Sequence, residues 1–98
     1  MFNLLRKNKT SQIKKYLQEG ATLLDVRFAS EYNSGHISKS VNIPLQSLDE
    51  KMDQLDKDKP IVVYCAMGGR STIAAAKLKS RGFRVIDGRS IKSIKKLT

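Results

Sequence analysis

One stretch near the middle of the chain combines a strand pattern, a reactive side chain and a flexible turn. Residues Ile61 to Tyr64 are apolar or aromatic and follow Pro60, which is typical of a strand buried on both faces. The alanine-rich run from Thr72 is typical of a helix. The only cysteine of the chain, Cys65, lies between them. The stretch therefore predicts a strand, a tight loop and a helix, with a thiol where the strand ends.

The loop after this strand favours the ionised form of the thiol. Gly68 and Gly69 allow the backbone to curl so that successive N–H groups point inward and form an anion-binding concavity. Arg70 adds a fixed positive charge, and we expect Ser71 to cap the following helix. Because the thiolate is the reactive form of cysteine, the pattern predicts an activated nucleophile at Cys65. The predicted anion-binding loop consists of Ala66, Met67, Gly68, Gly69, Arg70 and Ser71.

The alternative is that this cysteine is an inert core residue, which is the usual state of a lone cysteine after an apolar strand. Two adjacent glycines weaken a fold locally unless the backbone must turn sharply or approach a ligand. The loop sequence therefore favours a functional cysteine over a structural one.

The net charge of +10 on 98 residues is large and unevenly distributed, since the only acid from Pro60 onward is Asp87. Such a field attracts anions. Few aromatic residues and no recognised nucleic-acid motif accompany it, so a basic surface that steers small anions is favoured over nucleic-acid binding.

The lengths of the apolar runs and the number of cysteines indicate where the protein is located in the cell. No apolar run approaches the length of a membrane span, and the N-terminal apolar run is too short for a signal peptide. A single cysteine cannot form an internal disulfide. We therefore expect a cytoplasmic protein without a membrane span.

The order of the patterns predicts an α/β fold. Residues 1–9 form a basic N-terminal segment, and residues 10–98 are predicted to form one domain with a mostly parallel sheet of about four to five strands and helices on both faces. Strands are predicted at 21–26, 40–44, 61–65 and 83–86, the last followed by an Asp87-Gly88 turn, and helices at 11–19, 28–34, 45–55, 72–80 and 91–97. The helix at 72–80 is expected to pack on the sheet through Ile73, Ala76 and Leu78.

Charged residues follow the first clear strand. Asp25 is expected to be buried and must therefore pair with an arginine or with loop N–H groups, for which Arg70 or the loop amides are candidates. Glu31 is expected to pair with Arg27, four residues earlier. The single histidine, His36, is more consistent with an ordered turn than with catalysis, and no second histidine or cysteine accompanies it as a metal ligand.

Several separated motifs together resemble the rhodanese-like family of small, single-domain sulfurtransferases. The similarity covers about residues 10–90, although the tryptophan that many members carry after the last strand is absent here. The motifs are Leu24-Asp25-Val26-Arg27, Glu31-Tyr32, Gly35-His36-Ile37, Asn42-Ile43-Pro44, Tyr64-Cys65 with Gly68, Arg70 and Ser71, and Gly82-Phe83.

The resemblance implies a role for each of these positions. Cys65 would accept a sulfane sulfur from thiosulfate, a polysulfide or a protein persulfide, and would pass it to cyanide or another thiophile such as a protein thiol. Asp25 would support the loop, while Arg27 and Glu31 would brace its wall as a pair. The family chemistry implies no cofactor and no metal.

Two other functions remain open at this stage. Cysteine phosphatases and arsenate reductases also use a thiolate in an anion-binding loop, but their loops resemble Cys-x5-Arg, whereas four residues separate Cys65 from Arg70. A non-catalytic module that keeps the fold is the other alternative. The retained cysteine, glycines and arginine argue against it, since a binding module has no need of an activated thiolate.

Overall fold

A parallel sheet organises the protein. The computed structural model describes the backbone of residues 2–98 and the side chains from residue 8 onward. Met1 and the side chains of residues 2–7 therefore lie outside the described part of the predicted basic segment. The strands are β1 (Thr22–Asp25), β2 (Val41–Asn42), β3 (Ile61–Cys65) and β4 (Val85–Ser90). They pair in the order β2-β1-β3-β4, and every pairing is parallel, so the α/β prediction is confirmed.

Helices cover both faces of this sheet. They are α1 (Phe2–Gln18), α2 (Ala29–Ser34), α3 (Leu48–Lys51), α4 (Gly69–Ser80) and α5 (Ile91–Lys95). One face carries a core cluster that includes Leu24, Val63, Leu48 and Leu78, and so packs against α3 and α4. The other face carries a smaller cluster, in which Ile13 of α1 and Ile94 of α5 pack with residues of the strands and of one loop. These are Ile37, Val62, Tyr64 and Ile86. Every residue of β3 is buried, as expected for a central strand covered on both sides.

The N-terminal helix is longer than the sequence pattern indicated. A helix was expected at 11–19, yet α1 runs without interruption from Phe2, across the predicted boundary between residues 9 and 10. No glycine or proline interrupts this stretch, so nothing in the backbone stops the helix earlier. Gly20, with a φ of 84°, follows its end in the left-handed conformation that is common after a helix.

Two other predicted elements differ from the structure. The helix expected at 45–55 is divided into a 3-10 turn (Leu45–Ser47), the short helix α3 and a second 3-10 turn (Met52–Gln54), none with a side-chain cap. The predicted Asp87-Gly88 turn is wrong, because both residues continue β4. A bulge pairs Val63 with Asp87 and Tyr64 with Arg89, which allows the strand to continue.

Gly88 fits this path because it has no side chain. A Cβ at that position would lie 2.6 Å from Ile94 Cδ1 and 3.1 Å from the Val63 carbonyl oxygen. The close approach of α5 to β4 therefore depends on a glycine at this point.

Candidate active site

The thiol of Cys65 lies at the carboxyl end of β3, at the bottom of the loop that leads into α4. The residue is 1% exposed. Its Sγ accepts hydrogen bonds from the backbone N–H of Gly68 at 2.9 Å and from that of Ser71 at 3.4 Å. Gly68 reaches this position with a φ of 118°, a left-handed conformation that side chains disfavour. The loop therefore curls around the sulfur and directs backbone donors at it.

The pKa of the Cys65 thiol is lowered by this arrangement. Burial acts in the opposite direction and raises the pKa, but hydrogen bonds from the Ser71 hydroxyl and from the backbone N–H groups of Ser71, Gly68 and Met67 together outweigh it. The net effect favours the thiolate, which is the nucleophilic form.

The Ser71 hydroxyl can donate its one proton to either of two acceptors, the Gly68 carbonyl oxygen or the Cys65 sulfur. It donates to the Gly68 carbonyl oxygen at 3.0 Å, and a rotation of the hydroxyl directs the same proton to the Cys65 sulfur.

We expect Ser71→Ala to raise the pKa of Cys65, because the substitution removes the hydroxyl donor and leaves the backbone donors in place. The ultraviolet absorbance of the thiolate as a function of pH measures this pKa without requiring a reagent to reach the buried sulfur. Ser80→Ala removes an exposed hydroxyl from the other end of the same helix and serves as the control. Equal titration midpoints for wild type and Ser71→Ala would contradict the prediction.

Arg70 extends from the loop to α2. Its guanidinium donates to Glu31 Oε1 at 2.6 Å and to Glu31 Oε2 at 3.0 Å, and it lies 5.3 Å from the centre of the Phe28 ring. This two-point contact holds the loop against the start of α2. The Arg70 guanidinium is thus paired with Glu31, and its charge also interacts with Cys65, as the raised pKa of Arg70 indicates. Hydrogen bonds are the main causes that lower the pKa of Cys65.

The Arg70 contact also lowers the pKa of Glu31 to about 2; the hydrogen bonds from Arg70 are the largest cause, followed by the Phe28 N–H. A lowered pKa in the folded state stabilises the fold above the ordinary carboxyl pKa of 4.5, and this stabilisation is lost as the pH falls towards 2. Both side chains remain about a third exposed (29% and 32%), so solvent screening keeps the contribution small.

Wild type and Glu31→Gln are therefore expected to differ in unfolding free energy by about 1 kcal/mol or less at neutral pH. The difference should shrink as the pH falls from 4.5 towards 2, where wild-type Glu31 becomes protonated. Urea titrations at a series of pH values measure it. Glu50→Gln, at an exposed position, is the control. A difference that stayed constant over this range would contradict the assigned pairing.

A second acid–base pair lies at the carboxyl end of the neighbouring strand β1. The Asp25 carboxylate is fully buried and accepts from Arg27 Nε at 3.0 Å and from Arg27 Nη2 at 2.7 Å. Arg27 Nη2 also donates to the Gly35 carbonyl at 2.7 Å, and Asn42 Nδ2 donates to the carbonyls of Asp25 and Arg27. These contacts fix the turn between β1 and α2, which carries Glu31 towards the loop.

The two ion pairs of this region differ from the pairs expected from the sequence. Glu31 was expected to pair with Arg27 and instead pairs with Arg70, while Asp25 pairs with Arg27. The rule for residues four apart applies within a helix, but α2 begins only at Ala29. In extended backbone, residues two apart point to the same side, which brings Asp25 and Arg27 together.

The start of α4 also differs from the prediction. Ser71 was expected to cap the helix, but α4 begins at Gly69 with Gly68 at the cap position. The glycines start the helix early and place Ser71 in its first turn, beside the sulfur. The buried face of α4 is formed by Ser71, Ala74, Ala75 and Leu78, whereas Ile73 and Ala76 are exposed.

Sequence reasoning missed two residues near the loop. Phe28 is 52% exposed and carries the Arg70 guanidinium over its ring. Arg89 lies against the loop from β4, since a Cβ on Gly68 would be 3.5 Å from Arg89 Cβ. Neither residue belongs to a sequence motif that indicates a position near the loop. Of the loop residues, Met67 projects outward and is 90% exposed, and Ala66 is partly buried.

His36 orders a turn in the structure. Its Nδ1 lies 2.8 Å from the Tyr32 carbonyl, and its ring stacks on the Tyr32 ring with 3.7 Å between the centres. Within the described residues, His, Cys, Asp and Glu side chains form no group of three that could hold a metal ion.

Comparison with known proteins identifies the family to which this fold and loop belong. The sequence profile of the rhodanese-like domain matches residues 9–90 of the chain. The chain belongs to the rhodanese-like domain family. This agrees with the resemblance carried by the separated motifs and with the parallel sheet described above.

Individual members of the rhodanese-like family support the same conclusion. The chain is 40% identical over 72 residues to a thiosulfate sulfurtransferase, GlpE, of Pseudomonas savastanoi pv. phaseolicola, covering 74% of this chain and 68% of that protein. A crystal structure of a rhodanese-related protein from Thermoplasma volcanium superposes with a TM-score of 0.74 at 32% identity, covering 89% of this chain and 88% of that one. A human single-domain sulfurtransferase gives a TM-score of 0.66 at 27% identity over 88% of this chain and 92% of the other.

None of the helices described between residues 2 and 98 combines the length and the apolar character that a membrane span requires.

Proposed function

We propose that this rhodanese-like chain is a sulfurtransferase that carries a sulfane sulfur as a persulfide of Cys65. One observation carries the proposal: the buried Sγ of Cys65 accepts two backbone N–H hydrogen bonds from a loop that curls around it. Donors placed in this way stabilise a negative charge on sulfur before any substrate arrives. The names of the relatives, thiosulfate sulfurtransferase and single-domain sulfurtransferase, support the same chemistry.

With thiosulfate as donor, the reaction has two steps. The Cys65 thiolate attacks the outer sulfur of thiosulfate; a new S–S bond forms while the bond to the sulfite group breaks, and sulfite leaves with the bonding electron pair. The persulfide then carries the negative charge on its outer sulfur. A thiophile such as cyanide attacks that sulfur, thiocyanate leaves, and the thiolate of Cys65 is regenerated. Polysulfides and protein persulfides can donate, and thiols can accept, by the same exchange.

The residues of the loop and its supports have distinct roles in this proposal. The N–H groups of Met67, Gly68 and Ser71 stabilise negative charge on the sulfur, and the left-handed backbone of Gly68 allows the loop to curl. Arg70 acts through its contact with Glu31 as a positioning residue. The Asp25 and Arg27 pair holds the adjoining turn. The chemistry needs no metal or cofactor, because the sulfur itself is nucleophile and carrier.

The phosphatase alternative receives no support from the geometry. An arginine that binds a phosphoryl group must present its donors to the substrate, whereas two donor nitrogens of Arg70 are committed to Glu31. The basic composition of the chain fits an anionic sulfur donor, and a thiol that must return to its reduced form fits the reducing cytoplasm.

Intact mass after incubation with thiosulfate or polysulfide tests the proposal. We expect a gain of one sulfur atom that is lost on addition of cyanide, with release of thiocyanate. Because the chain has one cysteine, a single added sulfur can be assigned to Cys65. Hydrolysis of a generic phosphate ester without any gain in mass would instead indicate a phosphatase. Neither mass gain nor hydrolysis would indicate a non-catalytic binding module.

A further inference from the structure

A cleft of about 540 Å³ opens between α1, the end of β4 and the C-terminal residues after α5. Its floor is apolar: Ile13 and Ile94 are buried there, and Leu97 packs beside them. A volume of this size lies in the range of clefts that bind small organic molecules. The proposed sulfur chemistry at Cys65 makes no use of this cleft.

Three cationic side chains surround this floor, one from each part of the fold that forms the cleft. They are Lys9 of α1, Arg89 of β4 and Lys96 beyond α5. Among the described residues, none of the three forms a salt bridge with a carboxylate. The fold thus brings three positive charges to one cleft. A bound anion would relieve their mutual repulsion.

The carboxylate of Asp87 lies near this group but has other partners. Its oxygens accept from Thr72 Oγ1 at 2.8 Å and from the Arg89 N–H at 2.9 Å. Burial lowers the pKa of Lys9; the charge of Asp87 raises it, and the charges of Arg89 and Lys79 lower it further, with a net lowering. The positive charge at the cleft is therefore only partly offset.

Arg89 is held in place by the backbone. Its φ of 65° is left-handed, which is uncommon for a residue with a side chain, and the N–H bond to Asp87 and the bulge opposite Tyr64 keep it there. The side chain that lines the cleft is therefore fixed at its base rather than carried by a mobile loop. The same residue lies near Gly68, whose N–H donates to the Cys65 sulfur.

We propose that this cleft binds a small amphipathic anion, an organic molecule with an apolar segment and a carboxylate or phosphate head. The apolar segment lies on Ile13, Ile94 and Leu97, and the head is held by Lys9, Arg89 and Lys96. The cleft is separate from the Cys65 thiol, and Arg89, which lines it, lies near Gly68 of the loop around that thiol.

Binding of decanoate to the intact protein tests the site. We expect decanoate to bind more tightly than decanol, which has no charge, and decyltrimethylammonium not to bind. Decyl phosphate, compared with decanoate, distinguishes the two head groups. In amide correlation spectra, decanoate should shift the signals of Gly88, Arg89, Ser93 and Leu97, together with that of Gly68 in the adjoining loop.

Charge-removing variants show whether the cations act as proposed. Lys9→Gln with Lys96→Gln should weaken decanoate binding about tenfold, as expected for two partly exposed charge contacts. Lys15→Gln with Lys95→Gln removes the same charge from exposed positions of α1 and of the end of α5 that lie outside the cleft, and should leave binding unchanged. Equal affinity for decanol and decanoate, equal weakening by both double variants, or shifts confined to another surface would overturn the proposal. None of these measurements depends on sulfur transfer.

Discussion

Replacing Asp25 by alanine is expected to destabilise the fold by about 3–5 kcal/mol, a fall in Tm of more than about 10 °C. The carboxylate is fully buried and satisfies the Arg27 side chain, which is itself 9% exposed. Removing one partner leaves an uncompensated charge in the interior, and this penalty exceeds the net value of the pair. Thermal and urea unfolding measure the change.

Asp49→Ala is the matched control for this substitution. Asp49 also pairs with a basic residue, Lys77, but its side chain is 61% exposed, so its removal should cost about 1 kcal/mol or less. In a second comparison, Arg27→Met added to Asp25→Ala should recover part of the stability, since it removes the unpaired charge. Similar destabilisation by Asp25→Ala and Asp49→Ala would contradict the assigned role of the buried pair.

Cys65→Ser should abolish sulfur uptake and reduce thiocyanate formation from thiosulfate and cyanide by at least about a thousandfold. Serine fills nearly the same space and can accept the same N–H hydrogen bonds, so the fold should be retained. Its hydroxyl is not ionised near neutral pH and forms no persulfide. Circular dichroism checks the fold, and mass spectrometry with a thiocyanate assay measures the reaction.

A relocated thiol provides the control for chemistry that any cysteine could perform. In the double variant Cys65→Ser, Ser80→Cys, the chain again has one cysteine, placed at the exposed end of α4, far along the helix from the loop. We expect this variant to remain inactive, because its thiol lacks the donors from the loop. Activity close to wild type in either variant would contradict the proposed function.

The sequence predicted the features that depend on short-range patterns. An unbroken apolar run identified β3, and the glycines that follow it identified the loop, because such patterns constrain the backbone directly. The helix predicted at 45–55 is divided in the structure, but Leu48 and Met52 within it are buried. The proposed nucleophile, Cys65, was recognisable because it is the only cysteine and follows a buried strand.

Partners that depend on three-dimensional placement were not predictable in the same way. Glu31 and Arg70 are 39 residues apart, and only the packing of α2 against the loop brings them together. The place of Arg89 follows from a bulge in β4, where the sequence pattern indicated a turn at Asp87-Gly88. The sequence pattern also misplaced the start of α4, which begins at Gly69, two residues before the expected cap residue Ser71.

The burial of the Cys65 thiol limits which molecules can react with its sulfur in the proposed reaction. With Cys65 1% exposed, two copies of this chain cannot bring their cysteine sulfurs to the separation of about 2 Å that a disulfide requires without opening the loop. No second cysteine is present in the chain to resolve a persulfide internally. In the proposed reaction, the sulfur on Cys65 therefore leaves with a second molecule that is slender enough to reach the buried thiol, and not through a disulfide within the chain.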